Sequence, residues 1–337
     1  MSNMTRVSVG VSAIALAALG ALAVPAIHAS GRAERQAARA ERQAERQAAV
    51  AAQAEQVPPA WADVRAFGAI GDGQADDTQA FKRALASGLP VRIPTPKTHF
   101  VVQETLKVST GQMVAGVGRG RSIVKFTGSG DAFVTDPDAD RKTRDISFRD
   151  FTLMGTGNKS ANGIVLVRTS DPTVEDVQIR DIGGIGLVID GSEKGGVSQS
   201  HYAYVHNLHV IGTHRIGVQL RGPATDQGTN RHRFFFLRVS GSSDAALDIG
   251  KQSSTSNFFG FSAENVGTAI RIAGRHNFFY GMTIETASGH GVEFIKGTGN
   301  NRFVGTTMSK VGGSRWANAQ LNAPLKGEAA NDPDFAK

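Results

Sequence analysis

The chain has 337 residues, 40 glycines, no cysteine and a formal net charge of +7. The absence of cysteine excludes disulfide scaffolds, cysteine-based zinc sites and thiol chemistry. The positive charge suits an acidic partner such as nucleic acid or an anionic polysaccharide. Because the folded part has no dense Lys/Arg tract and no recognisable nucleic-acid-binding module, no nucleic acid partner is predicted.

The N-terminal segment has the pattern of an export signal. Arg6 precedes an uncharged, largely apolar run over 7–29 that contains small residues at plausible cleavage points. This pattern predicts a signal peptide over 1–29 and a secreted or periplasmic protein. An uncleaved membrane anchor is the alternative, because the run is nearly long enough to cross a bilayer.

The segment 30–60 is predicted to be a polar helical linker. Residues 31–56 are mainly Ala, Arg, Glu and Gln, which are good helix formers, and Pro58 and Pro59 end the helix. The alanines recur at steps of four and three. Oligomerisation through a coiled coil of this helix is therefore an alternative to a solvated stalk.

Residues 67–85, FGAIGDGQADDTQAFKRAL, combine glycine turns, three aspartates and a helical run. Asp76 or Asp77 can cap the helix, because acidic residues at a helix N-terminus accept hydrogen bonds from its free N–H groups. Together with Asp72, they are predicted to shape the chain, while the apolar stripe of the helix covers the end of a core. A calcium or catalytic site at these aspartates is the alternative.

From residue 91 onward, short apolar strands alternate with turn signals. From about residue 145 they repeat as an apolar pair, a bend and a second strand. The pairs are Phe151/Leu153, Val177/Ile179, Leu208/Val210, Leu237/Val239, Phe261/Ala263, Met282/Ile284 and Thr306/Met308. Their first members lie 21 to 31 residues apart. Asn257, Asn277 and Asn301 precede aromatic residues at a third position and are predicted to form an internal amide ladder.

One such unit cannot bury its own apolar face, whereas stacked units can. The repeat predicts an all-β fold, a single-stranded right-handed parallel β-helix over 61–315 with an N-terminal capping helix and a C-terminal tail over 316–337. The stretch 62–85, followed by VRIP at 91–94, resembles the entry segment of the pectate-lyase superfamily, which includes polygalacturonases and phage tailspikes. The resemblance implies the same fold, a structural entry segment and work on carbohydrates.

Equivalent residues of successive coils should form rows on the outside of the solenoid. Glu264 and Glu285 are 21 residues apart in matching contexts and are predicted to be neighbours. Two carboxyl groups are what glycosidic hydrolysis requires as acid and base. A second row places Asp248, Arg271 and Glu293 on successive coils, either as a surface salt-bridge ladder or as a row in which Arg271 binds a uronate or acts on its α-proton.

Histidines and tyrosines add further candidates in the same region. His290 joins Glu264, Glu285 and Arg271 as a predicted catalytic residue, because imidazole exchanges protons near neutral pH. The predicted substrate-binding residues are Asp248, Glu293, His209, Arg238, His214, Tyr202 and Tyr204. The tyrosines could stack on sugar rings. No metal ligand set is assigned and no cofactor is required, with calcium as an alternative.

These observations predict an exported enzyme that cleaves a polysaccharide, anionic by preference, through β-elimination or hydrolysis. The polygalacturonase catalytic pattern is not found; GHG at 289–291 matches one piece of it only. A non-catalytic polysaccharide-binding or cell-envelope structural protein is the first alternative, and a polymer-level uronate epimerase is the second. A phage tailspike is disfavoured, because a tail component has no use for an export signal.

Overall fold

The structure is a computed structural model that describes residues 61–135, 141–194, 198–222 and 228–322. The predicted signal segment 1–29, the linker 30–60 and residues 323–337 of the predicted tail lie outside these ranges. Within the described ranges, no helix is long and apolar enough to cross a membrane.

The described chain winds into a parallel β-helix, which confirms the predicted fold class. Its strands, numbered in chain order, form three sheets. Sheet A contains β1 (Ala62–Asp63), β2 (Val91–Arg92), β5 (Met113–Ala115), β9 (Ser147–Arg149), β13 (Thr173–Glu175), β17 (Tyr204–His206), β20 (Arg233–Phe235), β23 (Asn257–Phe259), β26 (Phe278–Tyr280) and β29 (Arg302–Val304). Sheet C contains β8 (Thr143–Arg144), β12 (Thr169–Ser170), β16 (Ser200–His201), β19 (Thr229–Asn230) and β22 (Ser253–Ser254).

Sheet B has two runs, which are joined because two long strands extend through both. The first run contains β3 (Phe100–Val102), β6 (Ile123–Phe126), β10 (Thr152–Met154), β14 (Gln178–Arg180), β18 (His209–Arg221), β21 (Arg238–Ile249), β24 (Ser262–Glu264), β27 (Thr283–Ile284) and β30 (Thr307–Met308). The second run contains β4 (Leu106–Val108), β7 (Gly130–Thr135), β11 (Ala161–Val167), β15 (Ile185–Asp190), β18, β21, β25 (Thr268–Ile272), β28 (Val292–Phe294) and β31 (Trp316–Ala317). The solenoid thus continues beyond residue 315, and a 3₁₀ helix (Ala319–Asn322) follows β31.

The strand register confirms the predicted repeat. Leu153, Ile179, Val210, Val239, Ala263 and Ile284 are partners on successive coils of the first run. All six are buried. Inside sheet A, Phe234, Phe258, Phe279 and Phe303 stack with centroid separations of 4.6, 4.7 and 4.6 Å. Each coil therefore buries its apolar face against its neighbours, as the repeat argument requires.

A polar column runs beside the phenylalanine stack, and it corrects part of the predicted amide ladder. Asn277 Nδ2 donates to Asn301 Oδ1 at 2.9 Å, and Asn301 Nδ2 donates to Asn322 Oδ1 at 2.9 Å. Asn257 is not in this column, because it pairs in register with Phe278, one position out of phase. Ser256 takes its place, and its backbone N–H donates to Asn277 Oδ1.

The corner between sheet A and the first run of sheet B needs left-handed backbone on seven successive coils. We call these residues the corner column: Asp150, Asp176, Asn207, Phe236, Gly260, Gly281 and Gly305, with φ between 52° and 70°. Asp, Asn and Gly adopt this conformation most readily. The left-handed turn between the strands therefore accounts for the residue type at six of the seven positions.

The entry segment forms the predicted capping helix α1 (Thr78–Ala86), which buries Phe81, Ala84 and Leu85. Asp77 accepts hydrogen bonds from the backbone N–H groups of Ile70, Gly71 and Val101, and makes no side-chain cap on the helix. Asp76 accepts from the Thr78 N–H, and Asp72 accepts from the N–H groups of Gln74 and Ala75. Backbone hydrogen bonds thus occupy all three carboxylates, which fits the predicted role of shaping the chain.

Candidate functional site

Glu264 and Glu285 occupy the predicted neighbouring positions on the first run of sheet B. Glu264 pairs with Ser240, and Glu285 follows Ile284, which is the register partner of Ala263. Glu264 is half-buried and its Oε2 lies 3.2 Å from Arg238 Nη2. Glu285 is exposed, and its carboxylate has no hydrogen bond or ion pair among the described residues.

His209 and Arg238 lie on the same outer face of the first run as the two glutamates, two residues earlier along their strands. His209 pairs in register with Arg238, which pairs with Ser262 on the next coil. Burial, followed by the positive charges of Arg119 and Arg238, lowers the pKa of His209 to about 4. The imidazole is therefore neutral at pH 7, because burial and the two guanidinium charges all disfavour its protonated form. We call His209, Arg238, Glu264 and Glu285 the first-run site.

Arg271 belongs to a separate ion-pair network on the second run. Its guanidinium binds the Asp244 carboxylate, and its Nε lies 3.5 Å from Glu293 Oε2. The hydrogen bond from Arg271 to Asp244 raises the pKa of Arg271, so this side chain holds its proton. It can bind a carboxylate but cannot act as the base that the sequence analysis considered.

Asp248, another member of the second row, also has a local partner, since its Oδ2 accepts a hydrogen bond from Gln219 Nε2 at 2.9 Å. The Asp244 carboxylate, which binds Arg271, has a second cation beside it, because Arg215 Nη1 lies 3.5 Å from Asp244 Oδ2. Asp248, Arg271 and Glu293 do occupy equivalent positions of successive coils. No hydrogen bond or ion pair among the described residues joins them to Glu264 or Glu285. Their arrangement fits the salt-bridge ladder better than a shared groove.

Two histidines from the sequence analysis have mainly structural surroundings. His214 is 2% exposed at the bend between the runs, so it cannot contact a polymer, which corrects its predicted substrate-binding role. Its ring nitrogens and the hydroxyl of its register partner Ser242 are buried without hydrogen-bond partners. His290 is half-buried, and its Nδ1 accepts a hydrogen bond from the backbone N–H of Ser314 at 3.1 Å.

The two predicted tyrosines lie away from sheet B. Tyr202 is at the corner between sheets C and A, where its hydroxyl accepts a hydrogen bond from Arg231 Nη1 at 2.9 Å. Tyr204 is in sheet A and packs on Phe235 with a centroid separation of 5.6 Å. The structure therefore does not bring these tyrosines together with the glutamates on one strand face.

Sequence reasoning missed the aromatic residues on the outside of sheet A. Phe235, Phe259 and Tyr280 stack with centroid separations of 5.0 and 5.1 Å. Because adjacent strand residues point to opposite faces, the runs RFFF, NFF and NFFY had to place one aromatic inside and another outside. The ring faces of these three residues therefore lie against one another within this outer stack.

A group with two acidic residues lies where sheet A ends and the corner column begins. Ligand atoms of Glu175, Asp176 and His206 all lie within 4.8 Å of one another. Glu175 also forms an ion pair with Arg149 at 2.9 Å, and this pair offsets one of the two negative charges of the group. Two carboxylates and an imidazole suit a transition metal such as zinc better than calcium, which takes oxygen ligands.

The comparisons with known proteins agree with the observed fold. No protein-family model matches the chain. In sequence, the chain is 37% identical over 95 residues to the pre-neck appendage protein of Bacillus phage B103. The matched region covers 27% of this chain and 11% of that protein. The chain is 34% identical over 141 residues to the capsule KN3-specific depolymerase 1 of Klebsiella phage KN3-1, which covers 36% of this chain and 18% of that protein.

Among solved structures, the chain is similar to the enzymatically active domain of tailspike protein 2 of bacteriophage CBA120. The TM-score is 0.57 at 16% identity, over 74% of this chain and 42% of that chain. This likeness shows the β-helix fold that the resemblance implies. The chain covers only a minor part of the length of the two phage proteins it matches in sequence.

Proposed function

We propose that the β-helix binds an acidic polysaccharide along the outer face of the first run and cleaves it by β-elimination. The observation that carries this proposal is the pairing in register of His209 with Arg238 on the next coil, where Arg119 also acts on the charge of His209. A uronate needs such a pair of groups, because a cation must neutralise its carboxylate before a base can remove the proton beside it. The capsule-specific depolymerase among the matched proteins supports a polysaccharide as the ligand.

The reaction follows from these side chains. Arg238 and Arg119 bind the carboxylate of a uronate residue, which makes the proton at C5 more acidic. His209 takes that proton, the electron pair forms a double bond between C4 and C5, and the C4–O bond to the neighbouring sugar breaks. Water or Glu285 returns a proton to the leaving oxygen. The bound carboxylate also offsets the two guanidinium charges that suppress protonation of His209.

Hydrolysis by Glu264 and Glu285 is the second candidate, and their register favours it. Adjacent coils are separated by about 4.8 Å, the spacing of hydrogen-bonded strands. Retaining glycosidases hold their two carboxyl groups about 5–5.5 Å apart. In this reading, one glutamate would attack the sugar and the other would protonate the leaving oxygen.

The proposed function also includes the location of the chain, its oligomerisation and its cofactor requirement. We propose an exported chain, secreted or periplasmic, with membrane anchoring and oligomerisation through 31–56 as alternatives. No cofactor enters the reaction, and calcium is kept as an alternative. The phage origin of the matched proteins favours another setting, in which a tail or appendage carries the β-helix to a cell-surface glycan. Both settings use the same glycan chemistry.

The test is incubation of the purified chain with polygalacturonate, alginate, hyaluronate and KN3-type capsular polysaccharide. β-Elimination predicts ultraviolet absorbance from unsaturated uronate ends, lowered roughly 10²–10⁴-fold in His209→Gln. Glu104→Gln, a surface change beside α1, is the control and should react as the native chain does. New reducing ends without that absorbance, lost in Glu285→Gln, would instead support hydrolysis.

Other outcomes separate the alternatives. Binding without any product supports the non-catalytic reading, and exchange of the C5 proton without chain cleavage supports the epimerase. Absence of both binding and product on the whole panel would contradict the proposal.

A further inference from the structure

Phe236 is out of place in the corner column. The other six members of that column are Asp, Asn or Gly, which tolerate left-handed backbone, whereas Phe236 has φ 56°. A bulky side chain in this conformation is an outlier that the surrounding structure must hold. The turn itself gives no reason for an aromatic residue, since Asn207 and Gly260 make the same turn on the adjacent coils.

The side chain of Phe236 is also unusually exposed. Its relative exposure is 61%, the highest among the exposed large hydrophobic residues of the described ranges. Burial of apolar surface therefore does not compensate for the backbone strain. A strained and exposed aromatic residue indicates a function outside the fold.

The phenyl ring is not part of the outer aromatic stack of sheet A. It lies over Gly260, where an added Cβ would be 3.1 Å from Phe236 Cδ1. Its contact with His206 is edge-on, with centroids 5.9 Å apart and planes at 78°. Because the relative exposure of the residue is 61%, much of the ring is open to solvent beyond these two contacts.

Phe236 is close in the fold to Arg238, a member of the first-run site, and to Arg119. Arg238 is two positions further along the same coil and begins the outward row of β21. Asn207, the corner residue of the adjacent coil, accepts a hydrogen bond from Arg119 Nη1 at 3.5 Å. Arg119 and Arg238 are the two cations that act on His209. Phe236 thus lies two residues before one of the cations proposed to bind a uronate carboxylate, and on the coil next to the corner residue that the other contacts.

We propose that Phe236 is the sugar-stacking residue of this site, which packs on the apolar face of a pyranose ring while Arg119 and Arg238 hold the carboxylate of the polysaccharide. The inference rests on the proposed glycan function. The left-handed backbone of Phe236 disfavours folding, whereas the proposed contact of its ring with a sugar favours binding. Removal of the ring should therefore change stability and affinity in opposite directions.

The variants are Phe236→Asn, which copies Asn207, and Phe236→Tyr, which keeps the ring. Relief of the left-handed strain in Phe236→Asn should raise the midpoint of thermal unfolding by about 2–4 °C. Its affinity for a panel polysaccharide that the native chain binds should fall by about tenfold, while Phe236→Tyr keeps that affinity. Phe278→Leu is the control, because it removes an outward aromatic of sheet A under Arg302 and should leave affinity unchanged.

Calorimetric titration with the same four polysaccharides and thermal unfolding give the two readouts. If Phe236→Asn binds as the native chain does, the inference is overturned while the proposed function stands. If the native chain binds none of the four polymers, both fail. If Phe236→Asn loses affinity together with a change in oligomeric mass by light scattering, Phe236 is an interface residue and the inference is also overturned.

Discussion

His232 allows a quantitative test of how the polar column controls acid stability. The side chain is fully buried, and its Nδ1 accepts a hydrogen bond from the Ala203 N–H at 3.0 Å. Burial, followed by the charge of His201, lowers the pKa of His232 to about 3. Replacement by asparagine, the residue at positions 277, 301 and 322 of the same column, would keep an acceptor and remove the titrating group.

The sign follows from proton linkage. The pKa is lower in the folded chain than the ordinary value of 6.5, so the unfolded chain binds the proton more readily between these values. The stability contributed by neutral His232 is present above pH 6.5 and is lost as the pH falls toward 3. At pH 4.5, two units below the unfolded value, the loss is about 3 kcal/mol.

The measurement is chemical unfolding of the native chain and His232→Asn at pH 7.5 and pH 4.5. At pH 7.5 the variant should be less stable by about 1–2 kcal/mol, because asparagine is smaller than histidine and leaves unfilled volume. At pH 4.5 the variant should be more stable than the native chain. The contributions of His209 and His214 are common to both proteins and cancel in the difference.

Ser256→Asn is the matched control, since it changes the next position of the polar column without removing a titrating group. Its pH dependence should equal that of the native chain. If the native chain and His232→Asn lose the same free energy of unfolding between the two pH values, the assignment of acid sensitivity to His232 is refuted.

Two further predictions concern the first-run site and the coil spacing. Arg238→Gln removes one positive charge near His209, so the pKa of His209 should rise toward 6.5. The acid limb of the pH profile of the cleavage rate should then move to higher pH. NMR titration of the histidines checks this, and an unchanged pKa of His209 would contradict the role of Arg238. Gly116→Ala should lower the free energy of unfolding by about 2–3 kcal/mol, because overpacking displaces backbone. Its Cβ would lie 2.1 Å from the Asp150 carbonyl oxygen, whereas Gly120 has open space and Gly120→Asn should cost less in the same urea titration.

Much of the architecture was predictable because a solenoid repeats one local pattern. The spacing of pairs such as Leu237/Val239 and Phe261/Ala263 sets which residues stack, and the observed register agrees with it. The neighbouring positions of Glu264 and Glu285 follow from the same count. The phase of Asn257 was wrong because the predicted ladder followed the aromatic residues, whereas the strand register places Asn257 opposite Phe278.

The sequence alone thus determined the parallel coils, the capping helix and the outward rows, because these depend on local periodicity and on burial of each apolar face. Only the tertiary structure decided which charges pair, how deeply His214 is buried and how far Phe236 is exposed. Arg238 binds Glu264 although its register partner is Ser262, and Arg271 binds Asp244 although its register partner is Asp248. These pairs join side chains of different coils through their rotamers, and no spacing within one coil contains that information.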